Sequence, residues 1–527
     1  MILIASAAYV NSEFQVEFGR LPPSFLPIGN VRLFERQIKI LRRCFPDEKI
    51  YLSLPASYEI HPKDARYLEI NDVSILISDE HLRLSDSIAY ALSNVSNPSE
   101  ELRLLHGDTL ITDMPSELDV IGVVETNDDY AWEVEKIDSH SELVWAGYFS
   151  FSNINLFKDK LLTTQDGFVG AVRQYDFSLP MKRKEIGQWY DFGHINTYFH
   201  SRARMTTERV FNSLTIEDGC VRKTGRPFEK ISAEANWFIN LPASLRSFCP
   251  QFIDAGSDDN GQPYYSLEYL PLPPLSDVFV HGKNSAFFWN KIFKLCDSFL
   301  IRCHEQLLGE ETLKQITMSS EKLAREKTNA RLQEFCKQAE YIDYDVPLSL
   351  NGEQLPTLRL IIEHCFSEWG HSDPKPGIAH GDFCLSNILF DSRSDRIKVI
   401  DPRGLDATGG FTTFGDLRYD LAKLTHSVIG LYDHIISGAF DVHTEMQAGI
   451  RAFVLDIHID ERIVSIQELF IGRTYIGNLK PIDVMPMTIL LFFSMLPLHA
   501  DDPLRQLGFF ANALRLYAKF IKNDSKL

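Results

Sequence analysis

The sequence predicts two modules in series, an α/β module with a mostly parallel sheet over residues 1–205 and an α+β module over residues 206–527. Three features point that way. Short apolar runs alternate with amphipathic segments from Ile2 to about Glu125, the pattern of βα units. A polar stretch at 201–209, containing Arg202, Arg204, Thr206 and Glu208, precedes a new β-rich pattern at 211–214 and 220–223. Long helical patterns then dominate beyond Pro274, interrupted once by a compact segment from Ile378 to Asp401. At 527 residues the chain is also too long for one ordinary hydrophobic core.

In the first module the apolar runs lie at 2–7, 50–54, 73–77, 88–92, 102–105 and 120–124, with helical spacing over 31–41. The stretch 145–198 is aromatic-rich and less regular. In the second, a short helix is expected over 233–241, stopped by Pro242, and a strand over 264–270 ends in the connector Pro271-Leu272-Pro273-Pro274. The apolar stretch 487–496, bounded by Pro486 and Pro497, is too short to cross a bilayer and reads as a core helix. The N-terminus has no basic region before its apolar residues and reads as a buried first strand.

Composition excludes several classes of function. A balance of 53 Lys+Arg against 72 Asp+Glu gives a net charge of -19, so the surface as a whole repels nucleic acid and anionic membranes, and any phosphate site must be local. The 8 cysteines form no CxxC pair, which argues against a zinc cluster or a disulfide framework and fits a reducing cytoplasm. Hydrophobic residues at 44% supply enough apolar material for sizeable cores.

The strongest chemical signal lies in the compact segment. His380-Gly381-Asp382 is followed by Asn387, the run Ile388-Leu389-Phe390, a polar turn at 391–395, and a second run, 397–400, that ends at Asp401. Two runs joined by such a turn form a hairpin, which brings Asn387 and Asp401 to the same end. There an amide oxygen and a carboxylate can hold magnesium against ATP phosphates, while Asp382 is placed to orient and accept the proton of an attacking hydroxyl. The sequence His380-Gly381-Asp382-Phe383-Cys384-Leu385-Ser386-Asn387 resembles the catalytic loop of the aminoglycoside phosphotransferase and choline kinase group. Val399-Ile400-Asp401 resembles that group's metal-binding segment, and 415–422 the segment that follows it.

The resemblance implies a protein-kinase-like fold, with Asp382 catalytic and Asn387 and Asp401 as metal ligands. By analogy Lys223 pairs with Glu234, at the opening of the next helix, to align ATP phosphates, with Lys230 as the rival lysine. Glu268 and Leu270 take the position of the hinge that reads adenine through backbone groups. Asn212, Ser213 and nearby amides stand where phosphates would be cradled. Asp416 and Asp420 are expected to cap or brace the catalytic loop.

In the first module His106-Gly107-Asp108 ends a strand, where ligands gather in open α/β sheets, and an acidic residue there suits a metal on nucleotide phosphates. Together with Trp189-Tyr190-Asp191-Phe192-Gly193 and 26–38, this resembles the sugar-nucleotidyltransferase family. The resemblance implies a Rossmann-like nucleotidyltransferase-type domain in which Asp108 and Asp191 hold one metal and Gly107 lies against the nucleotide. The chain departs from the family where a glycine-rich loop and a Pro-Lys are expected: it reads Ala5-Ser6-Ala7-Ala8-Tyr9 and has Pro23 in the lysine's place. Arg20 is the compensating cation, and His194 is expected to be an ordinary packed histidine.

The resulting expectation is a cytoplasmic small-molecule kinase that uses ATP and Mg2+ on a hydroxyl of a sugar, polyol or amino alcohol. Its N-terminal module would activate the product with CTP or another nucleoside triphosphate for capsular or other surface polysaccharide. No nucleic-acid partner and no membrane insertion are expected. The alternatives are a non-catalytic nucleotide-binding scaffold and an aminoglycoside phosphotransferase.

Overall fold

The structure, a computed structural model, describes residues 1–527 except 96–98, 129, 131, 137–141, 206–213, 307, 339–341, 407, 448–449 and 522–527. It divides into two compact units, Met1–Met205 with His281–Lys283, and Thr206–Val280 with Asn284–Leu527.

The first unit is a Rossmann-like α/β domain. Its main strands are Ile2–Ala5 (β1), Ile50–Pro55 (β2), Val73–Ser78 (β3), Leu102–His106 (β4), Val120–Val124 (β5), Glu142–Phe151 (β6) and Lys182–Glu185 (β7), ordered β7-β5-β6-β4-β1-β2-β3. The pairs β1–β2, β1–β4, β2–β3 and β5–β7 are parallel, whereas β6 runs antiparallel to both β4 and β5. All residues of β2 are buried, as a strand covered on both faces requires, while the edge strand β3 is buried only at its ends and alternates between half-buried and exposed positions between them. The helix Leu33–Cys44 buries Leu33, Phe34, Gln37, Ile38 and Leu41, one stripe at helical spacing.

The stretch 145–198 is more regular than its composition suggests. It holds most of β6, the helices Ile154–Thr163 and Gly167–Ser178, and β7. Its aromatic residues obscured the periodicity because they fill a single core: Phe151 stacks on Phe157 with ring centroids 3.8 Å apart, and Tyr175 meets Phe151 edge-on.

The second unit is α+β. Leu214–Glu217, Cys220–Lys223, Pro263–Glu268 and Phe252–Ser257 form an antiparallel sheet in that order, on which the helix Phe228–Ile239 packs. The helix starts five residues before the expected 233, just after Pro227 at its N-cap, so Glu234 lies mid-helix rather than at the opening. The larger, helical part holds Ala286–His304, Glu310–Gln338, Leu358–Gly370, Leu417–Val428, Met485–Met495 and Pro503–Phe520 around the hairpin Ile388–Asp391/Arg396–Val399.

Two expectations for this region are corrected. The helical pattern is interrupted a second time by a four-stranded sheet, Glu353–Thr357, Pro347–Leu350, Ile450–Ile457 and Phe440–Gln447 in spatial order. Two of these strands have only 4 and 5 residues, too few for a period-2 signal to stand out from flanking helices. The apolar helix Met485–Met495 lies where expected, but 3-10 turns at Pro481–Val484 and Leu496–His499 lengthen the helical run past Pro486 and Pro497, which sit in first turns, where a missing N–H costs nothing. The run Pro481–His499 is therefore long and apolar enough to cross a membrane, but 72% of it is buried inside the protein, as in a core helix.

Candidate active site

The hairpin turns a sequence separation into a meeting point. Its strands pair Ile388 with Val399, and Ile400 N–H donates to the Asn387 carbonyl at 3.0 Å, so Asn387 and Asp401 lie side by side. The Asn387 amide nitrogen donates to the Asp382 backbone carbonyl at 3.0 Å and to Asp382 Oδ2 at 3.1 Å. That leaves Asn387 Oδ1 without a donor among the described residues and available to a cation. Asp401 is partly exposed and adopts a left-handed backbone, φ 56°. Burial works to raise its pKa, but Lys223 at 3.0 Å outweighs this and holds the carboxyl below its usual range.

Lys223 is the pivot of the site. It is 3% exposed and contacts both Glu234 Oε2 at 2.7 Å and Asp401 Oδ1 at 3.0 Å. Burial lowers its pKa, but Asp401 and Glu234 more than compensate, so the ammonium stays charged. Glu234 is fully buried and also accepts from the Tyr265 hydroxyl at 2.7 Å. The rival Lys230 reaches Glu234 only at 3.7 Å, from a half-exposed position one turn earlier. Gly404 permits this approach: its φ is +65°, and a Cβ there would lie 2.2 Å from the Ala233 carbonyl oxygen, in the helix that carries Glu234.

The catalytic loop is held from behind by Asp420, which accepts from His380 N–H at 2.8 Å and Gly381 N–H at 2.7 Å. Asp416 caps the helix Leu417–Val428 and accepts from Lys375 N–H at 3.1 Å. His380 is completely buried: its Nδ1 accepts from Asp382 N–H at 3.3 Å and its Nε2 lies 3.0 Å from the Ile400 carbonyl, so the neutral ring donates through Nε2. Burial pushes its pKa down to about 4 despite neighbouring carboxylates.

At the hinge position, Glu268 N–H donates to the Gln251 carbonyl at 2.9 Å and the Leu270 carbonyl accepts from Leu272 N–H at 2.8 Å. The Pro273 carbonyl accepts from Phe390 N–H at 3.1 Å, tying the Pro-rich connector to the catalytic hairpin. Asn212 and Ser213 lie outside the described residues.

In the first unit the two expected aspartates converge. Strand Trp189–Asp191 pairs with Thr109–Ile111, and Phe192 N–H donates to the Asp108 carbonyl at 2.8 Å. A Cβ on Gly193 would stand 2.9 Å from Asp108 Oδ2 and 3.5 Å from Asp191 Oδ1, so both carboxylates flank one point. Burial, and then the charge of Asp108, push the Asp191 pKa up to about 7, although Thr197 and Gly193 N–H donate to it. Gly107 is required by close packing, since a Cβ there would lie 2.8 Å from the Ala5 carbonyl oxygen. Arg20 is exposed, paired with Glu80 at 2.8 Å and stacked over Tyr9. The His194 ring lies against Tyr130, centroids 3.6 Å apart.

Residues 220–446 match the phosphotransferase enzyme family (APH). The C-terminal region is a phosphotransferase-family domain. No curated protein matches the chain. Among solved structures, a nucleoside-diphosphate-sugar pyrophosphorylase from Vibrio cholerae is 10% identical over 38% of this chain and 99% of its own, TM-score 0.32. A choline/ethanolamine kinase family protein from Mesorhizobium loti is 10% identical over 59% of this chain and 86% of its own, TM-score 0.33. The GDP complex of an aminoglycoside 2'-phosphotransferase is 13% identical over 60% of this chain and 91% of its own, TM-score 0.33.

Within this phosphotransferase domain the sequence reading missed two cations beside Asp382. Lys423, on the helix Leu417–Val428, contacts Asp382 Oδ1 at 2.8 Å, and Arg403 closes over Tyr419, reaching its hydroxyl at 3.2 Å. Burial raises the Asp382 pKa, but Lys423, Arg403 and His380 drive it well below the usual carboxylate range. The only signal was position: Lys423 stands one helical turn after Asp420, and Arg403 two residues after Asp401.

Removing one partner of the Lys223–Glu234 pair leaves a buried charge uncompensated, so Lys223→Ala and Glu234→Ala are each expected to destabilise the protein by about 3–5 kcal/mol. The double variant should cost less than the sum by about 1–3 kcal/mol in denaturant unfolding; additive losses would mean the two side chains do not act as a unit. His380 carries a pH dependence of fixed sign. Its folded pKa lies below its unfolded value, so its contribution is present above pH ~6.5 and lost as pH falls toward about 4. Between those limits the wild type should lose about 3 kcal/mol more than His380→Gln. Parallel stability curves for the two proteins would refute the neutral, buried state.

Proposed function

We propose that the second unit is an ATP-dependent, magnesium-requiring kinase that transfers phosphate to a hydroxyl of a sugar, polyol or amino alcohol. The observation that carries this reading is the convergence of Asp382, Asn387 and Asp401 at one end of a hairpin, with buried Lys223 joined to Asp401. The phosphotransferase-family match across this region supports it. Magnesium held through Asn387 Oδ1 and the Asp401 carboxylate would offset the charge of the ATP phosphates. Lys223, kept charged and in place by Glu234, supports the phosphates from the other side. The backbone of Glu268 and Leu270 receives the adenine.

Asp382 orients the acceptor hydroxyl; as the bond from its oxygen to the γ-phosphorus forms and the bond to ADP breaks, the proton passes to the carboxylate. A carboxylate of low pKa suits this work, because phosphoryl transfer has a loose transition state and demands little basicity before the bond is made.

For the first unit we propose metal-dependent binding of CTP or another nucleoside triphosphate at Asp108 and Asp191, with the backbone at Gly107 against the nucleotide and Arg20 as the cation that compensates for the missing lysine. Two carboxylates around one point, one of them with a raised pKa, are the arrangement a divalent cation relieves. Activation of the kinase product for surface polysaccharide in the cytoplasm is the pathway reading that joins the two units.

Asp382→Ala should lower kcat by about 10²–10⁴-fold while Mg-ATP affinity holds within about threefold. Asn387→Ala and Asp401→Ala should instead weaken magnesium-dependent ATP binding by about tenfold or more in calorimetry. Wild-type turnover in the first variant, or unchanged affinity in both others, would refute these roles. In the full-length protein saturated with ATP, Asp108→Ala and Asp191→Ala should each abolish metal-dependent CTP binding. If CTP binds all three proteins equally, or none, the first unit is a scaffold without this site.

A further inference from the structure

More cations surround Asp382 than its own charge needs. Lys423 is paired with it at 2.8 Å. The Arg403 backbone N–H donates to the His380 carbonyl at 2.8 Å, which fixes the arginine beside the catalytic loop, and its guanidinium lies over Tyr419. The helix Glu310–Gln338, which packs against Phe414–Asp416 and Met485–Met495, carries two more cations one turn apart, Lys327 within electrostatic reach of Asp382 and Arg331 within that of Arg403 and Tyr419. Arg331 donates to the Ser494 carbonyl at 3.1 Å, with Glu334 nearby. Among the described residues Lys327 has no hydrogen bond or ion pair, although it lies within electrostatic reach of Asp382, Lys423, Arg403 and Arg331. Burial first, and then repulsion from those three cations, push its ammonium down to about 7.

Two carboxylates close to the loop are already engaged, while Asp433, within electrostatic reach of Cys384, keeps one buried oxygen without a hydrogen bond among the described residues. Asp420 accepts from two backbone N–H groups and Asp401 from Lys223. The excess positive charge lies around the residue that faces the acceptor, whereas the nucleotide phosphates have their own lysine in Lys223. A partly buried ammonium without a counter-charge is costly unless an anion joins it. A cationic acceptor, such as an aminoglycoside or choline, would meet repulsion from the same four side chains.

We propose that the phosphoryl acceptor is itself anionic, a sugar or polyol bearing a phosphate or carboxylate group that Lys327 and Arg331 hold while its hydroxyl lies on Asp382. The proposal rests on the kinase reading of Asp382, Asn387 and Asp401 and narrows its substrate class. The chemistry is the transfer already described: the hydroxyl oxygen gains the γ-phosphoryl group, ADP leaves, and the proton goes to Asp382.

Charge series on fixed scaffolds test it. Full-length protein with saturating Mg-ATP is offered glucose, glucosamine, gluconate and glucose 6-phosphate, and in parallel glycerol, choline, glycerate and glycerol 3-phosphate, with ADP release measured above the acceptor-free rate. The anionic members should exceed the neutral and cationic ones by about tenfold or more in kcat/KM, and the carboxylate and phosphate arms identify the group. Calorimetry with each compound on protein saturated with Mg-AMP-PNP reads the same preference without turnover. Lys327→Ala and Arg331→Ala should raise the KM or Kd of the anion about tenfold and leave ATP affinity within about twofold, while Arg331→Lys retains most of the preference. Preference for neutral or cationic members, binding of no anionic member, or loss of ATP affinity in place of acceptor affinity overturns the proposal. Failure of the wild type to bind Mg-ATP, or undiminished turnover in Asp382→Ala, would instead refute the kinase reading beneath it.

Discussion

A lysine buried to 3% exposure cannot stay charged without partners, and the second unit is organised around supplying them. Lys223 comes from the small sheet, Glu234 from the helix packed on it, and Asp401 from the end of the catalytic hairpin. One ammonium thus connects three elements far apart in sequence. The contact is possible only because Gly404 lets the chain after Asp401 pass against the Ala233 carbonyl, and because the Tyr265 hydroxyl and Lys223 both occupy Glu234 Oε2. The same ammonium that satisfies two carboxylates lies beside the proposed metal ligand Asp401, so in the proposed kinase one arrangement would serve both stability and the positioning of phosphates.

The catalytic loop follows a second rule, that buried polar groups must be satisfied. Asp420 collects the N–H groups of His380 and Gly381, and His380 in turn spans Asp382 N–H and the Ile400 carbonyl. Asp382 is therefore fixed through its backbone, which leaves its carboxylate for Lys423, Asn387 and, in the proposed reaction, an acceptor. The cations around it do two things at once: they keep the carboxylate ionised, and they set the charge of the space in front of it.

The first unit has a related electrostatic feature and a less complete set of partners. Asp108 and Asp191 repel each other across Gly193, with no cation paired to Asp191 among the described residues, while Arg20 is engaged by Glu80. The loop that would be glycine-rich is instead closed by hydroxyls: Ser24 N–H and Oγ both contact Ser6 Oγ, and Ser6 N–H donates to Ser53. A loop tied down in this way is preorganised, and its seryl contacts differ from the open backbone that a glycine-rich turn offers to phosphates.

Local and patterned features were legible in the chain itself. Alternating apolar runs specified the parallel sheet because strands covered on both faces must be continuously apolar, as β2 is. The hairpin was legible because a polar turn between two short apolar runs has few other solutions, and it carried Asn387 and Asp401 together. Pairings that depend on distant segments were not legible. Nothing in the sequence near Asp382 indicates that Lys423, 41 positions later, would reach it, or that a helix at 310–338 would bring Lys327 within electrostatic reach of it. The four-stranded sheet joining 347–357 to 440–457 was hidden for a related reason, since two short strands of 4 and 5 residues pair locally with each other and are joined to the other hairpin through Pro347–Leu350 beside Ile450–Ile457, about a hundred residues away. The sequence by itself determined the fold classes and the candidate catalytic motif, because these rest on periodicity and short-range spacing; only the tertiary structure decided which cations gather near Asp382, because they come from separate elements.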